Sequence, residues 1–534
     1  MSLAIINARV HTMDAANPVA QAIYMRGSHI AAVGGSDEIR AHTEPGTRVV
    51  DARGCTLLPG FNDAHVHFIS GGFSLMEVDL RPARSPEQLA ALLAGFASRA
   101  TPGGWILGGD WDHELWPGAP LPVRQMIDPA SGDRPVFIRR LDGHMALANT
   151  IALQRAGIDR QTPDPPGGEI VRDPNTREPT GLLKDAAMEL VNRILPAPSS
   201  GEKLRALRAA TQHAASLGVT SVTDVSADGD VGLYQELLQR GELKTRIYGA
   251  RTIVSWKALA EVGIRAGFGN PMLRIGAVKG FADGSLGSST ALFFEPYADA
   301  PGMRGLLFDQ MLPEGIMLER VLGADQAGLQ VLLHAIGDRA NRIVLDLYED
   351  VARQNGKRDR RFRIEHAQHL RPDDLPRFGR QQVIASVQPY HAADDGRWCA
   401  KRLGPARCAE AYCFRSLLDS GAVLAFGSDW TVAPLNPLPG IKAAVTRQTL
   451  DGAHPNGWHP EQRLTLDEAL HAYTMGSAFA EFTEHDKGSL TVGKLADAVL
   501  LDRDIYSIPP DQIDQARVAL TVLNGEIVFA ADGL

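Results

Sequence analysis

Between residues 60 and 430 the chain alternates short apolar runs with longer stretches of helical period. Eight runs read as strands: Gly60–Phe68, Gly218–Val225, Lys244–Val254, Leu273–Asp283, Gln330–Asp338, Phe362–Gln368, Val383–Pro389 and Val423–Trp430. Periodic segments such as Glu202–Leu217 and Arg339–Asn355 separate most of them. Strand and helix alternating in this way is the pattern of βαβ units. Eight such units predict an α/β fold, a (β/α)8 TIM-type barrel.

The two ends have a different texture. Leu3–Val10, Ile30–Val33, Val49–Asp51 and Thr56–Pro59 read as short strands, with one helical stretch near Ser36–Ala41. At the other end, Ala498–Leu501, Val518–Leu523 and Glu526–Phe529 are apolar runs, and Asn524-Gly525 between the last two is a hairpin signal. Residues 1–58 and 489–534 are therefore expected to build one small β-sandwich domain from both termini. Residues 59–488 hold the barrel. A large insertion after its first strand, about residues 70–215, carries its own strands (Trp105–Gly109, Pro135–Arg139) and a predicted helix at Leu182–Ile194. It is expected to cover part of the active site.

Composition narrows the class without naming a chemistry. Hydrophobic residues make up 44% and charged residues 22%, as in ordinary soluble proteins, which excludes a disordered or fibrous chain. The net charge is −9, with no basic stripe, so no nucleic-acid partner is expected. Four cysteines are too few for a disulfide scaffold and match no zinc-knuckle spacing. With no signal-like N-terminus and no run of about 18 apolar residues, neither secretion nor a membrane is expected, and the cytoplasm is the predicted compartment. A homodimer is the default oligomer.

The chemistry stands at the ends of the predicted strands. His65 and His67, in Asp63-Ala64-His65-Val66-His67, share one face of the first strand because alternate side chains do. His334, His366 and Asp429 close later strands. In a barrel, residues at the C-terminal strand ends converge on one point. These nitrogen and carboxylate donors suit zinc or a similar divalent metal. No Gly-x-Ser-x-Gly elbow supports a serine hydrolase. Many glycines fall in turns beside these strand ends, among them Gly60, Gly143, Gly284, Gly337 and Gly427.

The motifs resemble those of the amidohydrolase superfamily, and more closely the branch that contains N-substituted formamide deformylase. They are Pro59–His67, Leu141-Asp142-Gly143-His144, Val278–Gly287, His334–Asp338, Ile364–Ala367, Ser386–Pro389 and Gly427–Trp430. The resemblance spans nearly the whole chain and says little about substrate. It implies a metal-dependent hydrolase that cleaves a carbon–nitrogen bond, amide-type, N-acyl or N-formyl, in a small molecule. It also implies two divalent ions, zinc first, with iron, manganese or nickel accepted by the same donors.

By the same resemblance, His65, His67, Lys279 and Asp429 ligate the more buried ion, and His334 and His366 the more exposed one. Lys279 would be N6-carboxylated. The carbamate turns a cation into the anionic ligand that two close dications need. Asp429 would act as general base towards a water acidified by the metals, then as acid towards the leaving nitrogen. His144 is placed near the substrate carbonyl as a catalytic and substrate-binding residue.

Tyr390 and His391 are expected to line the substrate pocket, and Trp111 either to form an aromatic wall of it or to pack within the insertion. Asp224 is expected to hydrogen-bond a ligand histidine, Asp283 to support the lysine, and Asp338 to cap the helix that starts at Arg339 or to orient His334. His369 reads as a surface residue. The alternative function is a mononuclear deaminase of a cyclic imine or nucleobase-like compound. A non-catalytic metal-binding relative is a third reading. The Val-Lys-x-Phe-x-Asp-Gly motif argues against the deaminase.

Overall fold

The computed structural model describes residues 2–100, 103–140, 145–226 and 230–532. Eight strands run parallel in chain order in one sheet: β1 (Phe61–Val66), β2 (Val219–Asp224), β3 (Arg246–Thr252), β4 (Leu273–Phe281), β5 (Gln330–Ala335), β6 (Arg363–His366), β7 (Ile384–Val387) and β8 (Leu424–Phe426). The ends of this order meet. Val66 bridges Trp430 in parallel, His67 N donates to the Trp430 carbonyl at 2.7 Å, and Asp429 N donates to the His65 carbonyl at 2.8 Å. The barrel expected from the sequence is present.

Every residue of β1, β2, β5, β6 and β7 is buried. Strands covered on both faces need near-continuous apolar runs, which is why they stand out in the sequence. Helices supply the outer cover. Asp338–Asn355 buries Val344, Leu345, Tyr348 and Val351, and Tyr348 donates to the Arg363 carbonyl on β6 at 2.8 Å. Each strand is shorter than its apolar run. His65, Lys279, His334 and His366 fall in the last three residues of their strands, and His67 and Asp429 lie just beyond theirs.

The termini form two further sheets. One contains His29–Gly34, Ala22–Arg26, Ser2–Ile6 and Arg48–Asp51. The other contains Glu526–Ala530, Val518–Leu523, Ala498–Leu501, Thr56–Pro59, Arg9–His11 and Val19–Ala20. Leu3, Ile5, Ile23 and Met25 from the first pack with Leu57, Leu500, Leu520 and Val522 from the second. Asn524 and Gly525 both have positive φ, 53° and 74°, as a two-residue hairpin turn of the twisted-strand type requires.

Residues Ile69–Ala209 form a separate compact unit. Its six-stranded sheet orders Gly168–Arg172, Pro179–Asp185, Met145–Ala148, Phe137–Arg140, Gly108–Trp111 and Val78–Asp79. The helix expected at Leu182–Ile194 is only partly there. Pro179–Asp185 is a strand, followed by short helical turns at Ala186–Met188 and Glu189–Asn192. Leu182 and Leu183 pair with Leu147 and Ala146 across an antiparallel ladder. A short apolar run does not by itself distinguish strand from helix, and the neighbouring strand decides.

Candidate metal centre

His65 is the penultimate residue of β1 and fully buried, and His67 lies one residue beyond the strand with its ring one-third exposed. Asp429, just past β8, faces both. Its Oδ1 lies 3.6 Å from His65 Nε2 and 3.3 Å from His67 Nε2. His366, at the end of β6, puts its ring 4.8 Å from that of His65 and 4.5 Å from that of His334. One ligand atom from each of His65, His366 and Asp429 falls within 4.8 Å of the others. His65 Nε2 and Asp429 Oδ1 are buried and have no hydrogen-bond partner. Buried polar atoms normally have one, so this facing pair, a ring nitrogen and a carboxylate oxygen, fits the ligation of a metal ion.

The backbone at these positions is strained. Asp429, His366 and Ala367 have φ of 57°, 77° and 42°. The left-handed region costs a non-glycine residue about 1–3 kcal/mol, and such residues concentrate at functional sites. Asp63 holds this geometry from below. It accepts hydrogen bonds from His65 N and Ser428 N, and thereby links the turn that carries Asp429 to β1.

The electrostatics leave the imidazoles as neutral electron-pair donors, the form a metal needs. Burial, then the charge of Lys279, lowers His65 to about 4 against the pull of Glu365. The same two causes lower His334 to about 3. Burial and the neighbouring His334 and His65 hold His366 well below its usual range. Burial alone would raise Asp429. Its close approach to His67 and the surrounding imidazoles of His65, His366 and His391 outweigh it, and the carboxyl is held well below its usual range. Lys279 on β4 is buried, which lowers it to about 8, while Glu365 and Asp429 oppose the shift. Its Nζ sits 4.8 Å from the Phe281 ring centroid.

The structure thus brings His65, His67, Lys279, His334, His366 and Asp429 to one end of the barrel. A family pattern described as the amidohydrolase family matches residues 48–529.

The chain belongs to the amidohydrolase family.

It is a hydrolase acting on carbon–nitrogen bonds, in a metal-dependent family, and it contains a metal-capable triad. It is 42% identical over 542 residues to Protein LONG AFTER FAR-RED 3 of Arabidopsis thaliana, covering 99% of this chain and 91% of that protein. It is 28% identical to N-substituted formamide deformylase of Arthrobacter pascens, covering 99% of each chain. Among solved structures, an uncharacterized metal-dependent hydrolase from Pyrococcus horikoshii aligns with TM-score 0.77 and 29% identity, over 96% of this chain and 99% of that one.

The remaining expected residues divide. His391, in the first turn of a short helix after β7 (Pro389–Asp395), is buried with Nε2 unpartnered and is among the groups that lower Asp429. Tyr390 beside it is half-buried. His144 lies outside the described residues. Of the two readings Trp111 takes packing: it is fully buried in the core of the Ile69–Ala209 unit, beside Trp116, and its indole N–H donates to the Ile138 carbonyl at 3.1 Å. A large ring on a strand is more often core than wall, and here its partners lie within its own sheet.

Among the described residues Asp224 bonds no imidazole. Its oxygens accept from Phe68 N, Ser226 and the Tyr234 hydroxyl at 2.6 Å, so it holds the backbone just after His67. Burial raises its carboxyl against those bonds. Asp283 accepts backbone N–H groups from Leu292, Ile336 and Gly337. Burial raises it to about 7. It lies 3.5 Å from His334 Nε2 rather than pairing with Lys279, whose charge neighbours are Glu365 and Asp429. Asp338 is the first helical residue, not the cap. Its carboxylate accepts from Phe294 N at 2.9 Å and ties the segment after β4 to the helix start. His369 is buried, not on the surface, with its ring against Phe293 and Tyr412.

Sequence reasoning missed four residues that shape the site: Asp63, Arg363, Glu365 and Gln388. Gln388 Oε1 lies 2.8 Å from His366 Nδ1. Two of them are alternate residues of the same apolar run, Arg363-Ile364-Glu365, and charged residues on a strand assigned to a barrel interior were the available signal.

Proposed function

We propose that the enzyme hydrolyses an amide-type bond, N-formyl or N-acyl, of a small neutral molecule, using two divalent ions. The observation that carries this reading is the bare, buried pair His65 Nε2 and Asp429 Oδ1 beside His366 and the buried Lys279. The similarity to N-substituted formamide deformylase supports the bond type. His65, His67, Lys279 and Asp429 would hold one ion, and His334 and His366 the other. Zinc is the first choice of metal, and Lys279 would carry an N6-carboxyl group. Bound ions would supply Lewis acidity, acidifying water and polarising the substrate carbonyl.

The chain's own groups then move the protons. Asp429, kept ionised by the surrounding imidazoles, takes the proton of the attacking water at Oδ1. It returns that proton to the leaving nitrogen as the tetrahedral carbon collapses. His391 and Tyr390 are proposed to line the substrate pocket, and His144 to face the substrate carbonyl. The chain is proposed to act in the cytoplasm on a small molecule, without nucleic acid or membrane, as a homodimer.

A second reading has one observation in its favour. The tight trio His65, His366 and Asp429 suits a single ion, as a deaminase of a cyclic imine would need. A hydrolysis screen over N-formyl, N-acyl, urea, carbamate and lactam compounds separates the two. Turnover of N-formyl or N-acyl compounds supports the first reading. Activity confined to ammonia release from cyclic imines or nucleobases overturns it.

A further inference from the structure

Below the metal centre lies a charged pair with no contact to solvent. Arg363 and Glu365 are both fully buried, and as alternate residues of β6 they share one face. Arg363 Nε donates to Glu365 Oε1 at 2.8 Å and Nη2 to Oε2 at 3.2 Å. The same guanidinium reaches the Ala64 carbonyl, Ser386 Oγ at 3.0 Å and Thr223 Oγ1 at 3.4 Å. Acceptors from β1, β2, β6 and β7 therefore pin it. Glu365 Oε2 then meets His65 Nδ1 at 2.5 Å.

A carboxylate only accepts, so the proton of a neutral His65 must sit on Nδ1. Its lone pair is left on Nε2, the atom that has no protein partner and faces Asp429. Charge decides why the residue is glutamate and why arginine stands beside it. An isolated carboxyl at this depth would become neutral and could donate instead of accept. A guanidinium in two-point contact keeps it anionic. His366 has a neutral acceptor in the same role, Gln388 Oε1. The anionic partner is kept for His65, the more deeply buried ring.

We propose that Glu365 is the positioning residue of this centre: held by Arg363, it fixes His65 as the Nδ1–H tautomer and aims Nε2 at the ion. The inference rests on the metal-centre reading above. A partner of this kind typically contributes ten- to a hundredfold in metal affinity or activity.

Two readouts test it on the full-length protein as purified. The first is the ¹⁵N spectrum of histidine-labelled protein, with the His65 signals assigned by their loss in His65→Gln. The wild type is expected to show the proton on Nδ1, and Glu365→Leu, which has no acceptor, to lose that signature. The second is metal retention against graded chelator, where Glu365→Leu should release metal at ten- to a hundredfold lower chelator concentration. The double variant Arg363→Met/Glu365→Leu separates positioning from the cost of an unpaired buried guanidinium, and it also serves if the single variant does not fold. Positioning predicts that the double variant remains metal-weak. Recovery to wild-type retention would overturn the proposal, as would unchanged retention and tautomer in Glu365→Leu. A wild type purified without metal would instead count against the metal-centre reading, and the tautomer measurement would still decide the role of Glu365.

Discussion

Both carboxylate oxygens of Asp63 lie 3.0 Å from the backbone N–H of Ser428. This contact joins β1 to the turn after β8, one residue from Asp429. The same carboxylate accepts from His65 N at 3.1 Å. One buried side chain thus sets the separation of two candidate ligands. Asp63→Ala would leave two buried N–H groups without acceptors, at about 1–3 kcal/mol each. Denaturant unfolding should show a loss of a few kcal/mol, with Asp63→Asn losing less. A loss near zero for Asp63→Ala would remove Asp63 from this role.

Gly427 lets the same two strands approach. A Cβ there would stand 2.7 Å from His65 N and 2.8 Å from Asp63 Oδ1. Neither atom is the loose end of a flexible chain. Gly427→Ala is expected to displace His65 and to cut both metal content and turnover at least tenfold, as measured by elemental analysis and by rate on a hydrolysed substrate. Wild-type values for both would show that the closure is slack.

Asp429→Asn isolates the proton-transfer role. Asparagine tolerates the left-handed backbone that position 429 requires, so the turn should survive. Turnover is expected to fall below detection while circular dichroism and most of the metal are retained. Residual activity near that of the wild type would exclude Asp429 as the base.

Asp395 provides a test of the fold's electrostatics away from the metal. Burial raises its carboxyl to about 7, opposed by the Tyr412 hydroxyl bond, assisted by Asp394 and opposed again by Arg397. The unfolded value is near the usual 3.9. Between these values the folded state binds more protons than the unfolded state. Stability from this group is therefore full below about pH 4 and is lost as pH rises through 7. Asp395→Asn, which cannot ionise, should gain stability relative to wild type as pH rises from 4 to 8, by up to a few kcal/mol. Urea unfolding at both ends of that range checks this, and a difference that does not change with pH would contradict it.

The barrel was legible because its strands are buried on both faces and so read as unbroken apolar runs. Its ligand-bearing ends were legible because histidine and aspartate interrupt those runs at their last positions. The support beneath them was not. Arg363 and Glu365 flank Ile364 as charged residues do on a half-exposed strand, and only the closed barrel turns both inward against Ala64, Thr223 and Ser386. Trp111 was ambiguous. A tryptophan among aspartates and glycines suits a binding wall as well as a core, and its neighbours in space, Ile138 and Trp116, make it core. Leu182 belongs to a strand only because Leu147 lies beside it.

The proposed two-ion centre is completed by Lys279. Elemental analysis of the purified protein, wild type beside Lys279→Ala, measures this most directly. About two divalent ions per chain are expected in the wild type, with loss of metal and activity in Lys279→Ala. A reproducible value of one, with Lys279→Ala fully active, would contradict it.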